Sequence, residues 1–479
     1  MILRQGVAYF IFKAIPAVIS VLTLSMLSRY MGPDLYGKYS LILLSASFLS
    51  LCIYQWLNLS VGRMFHIFLL DKREIFFINL AIKLSIIVLL ISLFLSILID
   101  ILFPDKSYIS IPISIVCVLS FSQSWNELIL RVFNAGFKVN SYGKIAILKA
   151  FMTLAALYLV LKLELGLIAL VVSVSASNIL STIFFMRFSF INFTSVEFLR
   201  DELLIIKNMI NYGLPLSISA ILVFLIDIFA RFFIRVNYDD WSVGLFSIPY
   251  DITQFVIGSL MMIVNLTLFP NIIRSYEDSN GNVDGVKKAL QSSFNTLFFF
   301  LAPIVVGFIM VVESFSHLFV GKDYINDFII LSPVIAVSLF FSCLKSFYFD
   351  YAFHLTMNAK AQLFVSFASA LCSLLVFSLF VKYFGVVGAA YGALVSFFIA
   401  MLLSMIVGKI YFEMPNVEVS IVFKIVISCV LMAIVMSQIN CSLFYYELFL
   451  RFIFGVLVYM FSMLLLNLKY CKDKFYKCN

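Results

Sequence analysis

The chain has 479 residues, 63% of them hydrophobic and only 12% charged, with a mean hydropathy of +1.09. A soluble chain of this length carries roughly twice that charged fraction, so the composition excludes a soluble protein and describes an all-α protein that crosses a membrane many times. The net charge of +8 is read as loop charge on one side of that membrane, not as a nucleic-acid surface.

A bilayer core takes about 20 apolar residues per helix. That length places the first helix over 7–29. The run is too long for a cleaved signal peptide, holds Lys13 and Pro16, and has no small-residue cleavage site before Arg29. Further helices follow over 36–58, 75–99, 109–131, 141–160, 165–187, 211–235, 243–269, 291–313, 325–346, 362–383, 385–407, 418–438 and 446–467. The second is interrupted by polar Gln55 and Asn58, and the pair at 362–407 is closely spaced.

With both ends inside, alternate segments hold most of the 33 Lys and Arg, among them Arg63, Lys72, Arg73, Lys287, Lys288, Lys345 and Lys360. The bias repeats loop after loop. It supports an even number of spans and cytoplasmic termini. The longest connections, near 188–210 and 270–290, fall on the inner side. The second contains EDSNGNVDG, a turn-rich polar stretch.

Three short stretches recur in the same order. LFPDKSYI (102–109) matches LFVGKDYI (318–325), 216 residues on. Tyr36-Gly37-Lys38-Tyr39-Ser40 matches Val243-Gly244-Leu245-Phe246-Ser247 at an offset of 207. Leu165-Gly166-Leu167-Ile168-Ala169 matches Phe384-Gly385-Val386-Val387-Gly388 at an offset of 219. Six helices lie between the copies, so the two halves run in the same direction. Parallel repeats around a central cavity are a transporter design. The expected organisation is a six-helix bundle over 1–190, a second over 208–407, two peripheral helices over 418–467 and a basic cytoplasmic tail over 468–479.

LSRYMGPDLYGKYSL (27–41), RFFIRVNYDDWSVGLFSIPYDI (231–252), HLFVGKDYIND (317–327) and YFGVVGAAYGALVSF (383–397) together resemble landmarks of the Wzx-type polysaccharide repeat-unit flippases. These belong to the multidrug/oligosaccharidyl-lipid/polysaccharide exporter superfamily. The resemblance implies two bundles around a cavity. It also implies an O-antigen-type substrate of lipopolysaccharide synthesis, an undecaprenyl-diphosphate-linked oligosaccharide moved from the inner to the outer leaflet of the bacterial inner membrane. Members often carry an adjacent Asp-Arg pair late in the seventh helix. Here that position reads Ala230-Arg231, with Asp227 one turn earlier.

A diphosphate and a sugar cannot cross hydrocarbon unassisted, so charges inside helices are the first candidates. Lys13, Lys83 and Arg231 are the expected substrate-binding cations. Lys13 and Lys83 could equally snorkel to the surface. Asp227 and Asp251 are the expected ion-coupling acids. Asp227 and Arg231 stand i, i+4, and a static ion pair is the competing reading. Glu127, Arg131 and Lys149 form an expected headgroup intake zone, or ordinary inside-positive topology. Gln55, Trp56, Asn58, Gln123, Trp125 and Asn126 gather near inner helix ends, where Trp anchors at an interface and amides suit sugar.

No metal or cofactor is expected. His66, His317 and His354 lack ligand spacing, Cys471 and Cys478 form no CxxC, and there is no GxxxxGKS loop. The chain is therefore read as a transporter and not an enzyme. Expected partners are the lipid-linked glycan, membrane lipid, a polysaccharide polymerase and a chain-length regulator. The competing functions are a drug/cation antiporter or a peptidoglycan-precursor flippase on the same fold. An integral-membrane glycan polymerase or ligase competes from another class and would need a larger outer loop.

Overall fold

The computed structural model describes residues 2–103, 111–136, 138–186, 200–277, 283–356, 358–415 and 418–476. The first octapeptide copy from Pro104 onward, most of the EDSNGNVDG stretch and the end of the basic tail lie outside the described residues. The described residues contain no strand. Among the described residues, thirteen helices are long and apolar enough to cross a membrane. One of them, Lys360–Tyr411, has 52 residues, about 78 Å of helix, against a hydrocarbon core of about 30 Å. It breaks at Gly385 (φ 62°, ψ −141°), so it supplies two spans and the count reaches the expected fourteen.

The chain divides into two compact units, 1–247 and 248–479. The first holds α1 (Ile2–Tyr30), α2 (Pro33–Ile53), α3 (Gln55–Leu70), α4 (Glu74–Leu102), α5 (Ile113–Ala135), α6 (Val139–Lys162), α7 (Gly166–Met186), α8 (Arg200–Asn237) and the first two turns of α9 (Asp240–Glu277). Helix α5 is its centre, packed by α2, α3, α4, α6 and α7, while α8 lies on α2 and α3. Its apolar residues Leu128, Ile129, Val132 and Phe133 close on Leu57, Val61, Phe77 and Leu80.

The predicted span 36–58 ends in the structure at Ile53, and a new helix begins at Gln55 after a one-residue break at Tyr54. The break falls where polar Gln55 and Asn58 interrupt the apolar run, and both side chains are buried. Asn58 finds partners on α5, donating from Nδ2 to Ser124 Oγ at 3.1 Å.

Two of the sequence repeats meet or match in space. The start of α2 crosses the start of α9 at Gly37 and Gly244. A Cβ on Gly37 would overlap the Asp240 carbonyl, and one on Gly244 would overlap the Pro33 carbonyl. Pro33 and Asp240 are themselves equivalent at the offset of 207. Ser40 Oγ and Ser247 Oγ, also equivalent, lie 2.9 Å apart. Pro33 and Gly37 thus each meet the copy of the other, and Ser40 meets its own copy. The 219-residue match is conformational: Gly166 (φ 83°) and Gly385 (φ 62°) are the positive-φ glycines among the described residues, and each sits at the corner before a span.

The second unit holds the rest of α9, α10 (Val283–Phe319), α11 (Ile325–Leu344), α12 (Tyr351–Leu355), α13 (Ala359–Tyr411), α14 (Val419–Ser437) and α15 (Phe444–Tyr476). Helix α11 packs on α10 and α13, and the pair α14–α15 packs on α10. Tyr459 of α15 donates its hydroxyl to the Phe299 carbonyl at 2.7 Å. Side chains such as Phe94, Phe384, Phe423 and Phe452 remain exposed, as they would be against lipid.

Lys345 is expected in an inner loop but is buried. The helix after Leu344 does not stop; it widens into one π-helical turn, Lys345–Phe349, and continues as α12. That turn brings Lys345 Nζ to 2.8 Å from Asp350 Oδ2, with side chains 7% and 9% exposed. Ser404 of α13 donates to the other Asp350 oxygen at 2.5 Å.

Two substitutions check these contacts. Gly37→Ala is expected to destabilise the purified protein by about 1–3 kcal/mol, the usual range for overpacking, seen as a lower thermal midpoint. Gly32→Ala, whose Cβ would meet nothing within 4 Å, serves as the control; equal midpoints would contradict the close crossing. Lys345→Met alone leaves Asp350 buried without its cation and is expected to cost about 3–5 kcal/mol. Lys345→Met combined with Asp350→Leu should cost less than the single change, as read by denaturant titration.

Candidate functional site

Helix α5 carries the polar residues. Its segment 120–131 reads SFSQSWNELILR, and Ser120, Ser122, Ser124 and Asn126 are buried. In a bilayer each of these groups must be answered within the protein: Ser120 and Ser122 donate to the Cys117 and Leu119 carbonyls of α5 itself, and the others turn to neighbouring helices. Asn126 donates to the Asn178 carbonyl and to Ser181 Oγ on α7, both at 3.4 Å. Asn178 Nδ2 donates back to Ser122 Oγ at 3.1 Å. Trp125 Nε1 donates to Thr182 Oγ1 at 2.9 Å, so this Trp is bonded between helices. Ser47 of α2 donates to Gln123 Oε1 at 3.3 Å.

The network is not saturated. Among the described residues, Gln55 Oε1, Asn58 Oδ1 and Asn178 Oδ1 are buried without a hydrogen-bond partner. A buried acceptor left unmade costs about 1–3 kcal/mol, so the first unit holds amide oxygens that a hydroxyl donor would stabilise.

Three expected residues join this network. Lys149 Nζ of α6 donates to Asn126 Oδ1 at 3.3 Å. Arg131 Nε donates to Glu127 Oε1 at 2.9 Å, and Asn58 Nδ2 reaches Glu127 Oε2 at 3.4 Å. Glu127, Arg131 and Lys149 are thus brought together through Asn58, Ser124 and Asn126, across α3, α5 and α6.

The other cations are held separately. Lys83 of α4 points inward to α8, with its Nζ 3.4 Å from Glu202 Oε2 and the two side chains 16% and 10% exposed. Lys13 of α1 faces α6, its Nζ 5.9 Å from the centroid of the Tyr142 ring. Arg231 of α8 is buried and donates from Nε to Ser247 Oγ at 2.9 Å. It therefore supports the Ser40–Ser247 pair at the α2–α9 crossing. Arg235, one turn on, pairs with Asp240 at 2.6 Å. Asp227 is half-buried on α8, one turn before Arg231. Asp251 is half-buried on α9 and belongs to the second unit.

Sequence reading missed several partners. Glu202 stood in what looked like an inner connection, and its distance of 119 residues from Lys83 hid the pair. Ser40 and Ser247 carried a signal, since they were equivalent in the repeat. Lys345 and Asp350 carried only their five-residue spacing.

A sequence profile described as "polysaccharide biosynthesis protein" matches residues 26–329. No curated protein matches in sequence. Among solved structures, the lipid II flippase MurJ in an inward closed conformation superimposes with a TM-score of 0.75 at 14% identity, covering 99% of this chain and 100% of that one. An inward-facing multidrug resistance MATE family transporter of the MOP superfamily gives 0.60 at 15% identity, over 85% of this chain and 97% of that one. The outward-facing conformation of such a transporter gives 0.58 at 15% identity, over 85% and 95%. The fold is that of these transporters, and by the match over residues 26–329 the chain belongs to the polysaccharide biosynthesis protein family.

Proposed function

We propose that the protein is a flippase of the bacterial inner membrane, with both termini cytoplasmic. It moves an undecaprenyl-diphosphate-linked oligosaccharide repeat unit from the cytoplasmic to the periplasmic leaflet by alternating access, without chemistry on the substrate. The observation that carries this reading is the polar interior of the first unit. Lys83, Lys149 and Arg231 lie inside a helix bundle, against the Glu202 carboxylate, the Asn126 amide and the Ser247 hydroxyl. Cations match a diphosphate. The unpartnered Gln55, Asn58 and Asn178 oxygens match sugar hydroxyls. A drug/cation antiporter would call for an acidic lining instead.

In this reading Lys13, Lys83 and Arg231 bind the diphosphate. Lys83 exchanges Glu202 for the incoming anion, since a 3.4 Å ion pair is loose enough to compete with. Glu127, Arg131 and Lys149 form the intake zone. Asp227 and Asp251 are the acids through which proton or cation antiport is coupled. A polymerase and a chain-length regulator receive the product.

A peptidoglycan-precursor flippase is the second reading. It is favoured by the end-to-end superposition on MurJ, which includes α14 and α15. Deleting the gene separates the two. Accumulation of a lipid-linked repeat unit on the cytoplasmic leaflet with loss of surface polysaccharide supports the first, and accumulation of a peptidoglycan precursor with cell lysis supports the second. Unchanged surface glycan with no intermediate would contradict both.

Side-chain roles are read by complementation of the deletion strain. Lys83→Ala is expected to lower surface glycan by about tenfold, the scale of one lost charge-assisted contact, with Lys83→Arg retaining most of it; equal loss in both would point to a structural lysine. Asp227→Asn is expected to abolish the pH dependence of transport in proteoliposomes. Under a static Asp227–Arg231 pair the pH profile would not change.

A further inference from the structure

A cavity of about 410 Å³ lies in the second unit between the first turns of α10 and the start of α14. It is outside the polar network described above. Its volume falls in the range of small-ligand sites, about 300–1,000 Å³. On α10 its walls run from Lys288 and Gln291 through Asn295 to Phe299, and on α14 from Glu418 to Ile421 and Ile425. Both walls therefore change from charged to apolar in the same direction. The adjoining outer surface is apolar as well, with Phe300, Phe423 and Val430 exposed.

The charged end is built. Gln291 Nε2 donates to Glu418 Oε1 at 2.8 Å, and Asn295 Nδ2 donates to Glu418 Oε2 at 3.4 Å. Each carboxylate oxygen is thereby oriented and keeps a second lone pair. Beside it Lys287 is engaged with Glu413 at 2.6 Å, so Lys288 supplies the cation that lines the cavity.

We propose that this cavity binds the headgroup of an amine-bearing zwitterionic phospholipid, of the phosphatidylethanolamine class. Lys288 takes the phosphate and Glu418 accepts from the ammonium. The acyl chains run toward Phe299, Ile421 and the exposed face of α14. A purely anionic headgroup would leave its charge facing Glu418, and a purely cationic ligand would face Lys288. A quaternary choline has no N–H to donate to the carboxylate. The lipid-linked diphosphate is disfavoured here for the same reason as other polyanions.

The test is native mass spectrometry of the full-length protein in mixed micelles with equal amounts of phosphatidylethanolamine, phosphatidylcholine and phosphatidylglycerol. The wild type should retain phosphatidylethanolamine about tenfold over phosphatidylcholine. Glu418→Gln should bring that ratio close to one, and Glu418→Lys should turn the preference to phosphatidylglycerol. Lys288→Ala should weaken phosphatidylethanolamine and phosphatidylglycerol together. Equal retention of the three lipids by the wild type, or an unchanged ratio in Glu418→Gln, would overturn the site. So would undecaprenyl diphosphate binding that Lys288→Ala removes while phosphatidylethanolamine occupancy stays constant. None of these readings depends on transport, so the site and the flippase function stand or fall separately.

Discussion

A polar group in hydrocarbon has no water to turn to, and each one left unanswered costs several kcal/mol. That constraint organises this protein. It makes the backbone helical, because a helix satisfies its own amides. It then sorts the side chains. Lys83 turns to Glu202, Lys149 to Asn126, Arg231 to Ser247, and Lys345 to Asp350. Arg451 of α15 follows the same rule, meeting Glu447 and the carbonyls of Ile439 and Met310. The paired charges named here are therefore drawn into the units, while many large apolar side chains, such as Phe94, Phe423 and Phe452, stay exposed.

The same constraint explains what could be read from the sequence. Span number and approximate boundaries depend on local hydropathy, and they are legible. Gly37, Gly244, Gly166 and Gly385 are legible too, because corners and close crossings are demanded by the backbone itself. The interruption at Gln55 and Asn58 was legible as a polar break in the second span, but their burial against α5 was not. Lys345 looked like a loop lysine because one π-helical turn leaves no local composition signal. Lys83 stands out in the sequence as a charge inside a span, but its partner Glu202 is a tertiary fact. Most of the α5 network was visible only as a cluster of amides and Trp. Its bonds to α3, α6 and α7 came from packing.

Under the function proposed above, a bundle interior with cations, amides and hydroxyls receives cargo with a charged, hydroxyl-rich head. Static buried pairs add little net stability compared with apolar packing, so these pairs are not what holds the bundle together. Membership of a polysaccharide biosynthesis family on a fold shared with flippase and multidrug transporters agrees with that use. The helix pair α14–α15 adds a lipid-facing flank, anchored by Tyr459 on Phe299.

The α2–α9 crossing has a local two-fold character. When residue i touches the counterpart of j, and j touches the counterpart of i, the pattern is the one a dyad imposes on two identical subunits. Pro33 on Gly244, Asp240 on Gly37, and Ser40 on Ser247 have that reciprocity. A crossing with that reciprocity links its positions in pairs, so a change on one side has to be accommodated by its twin.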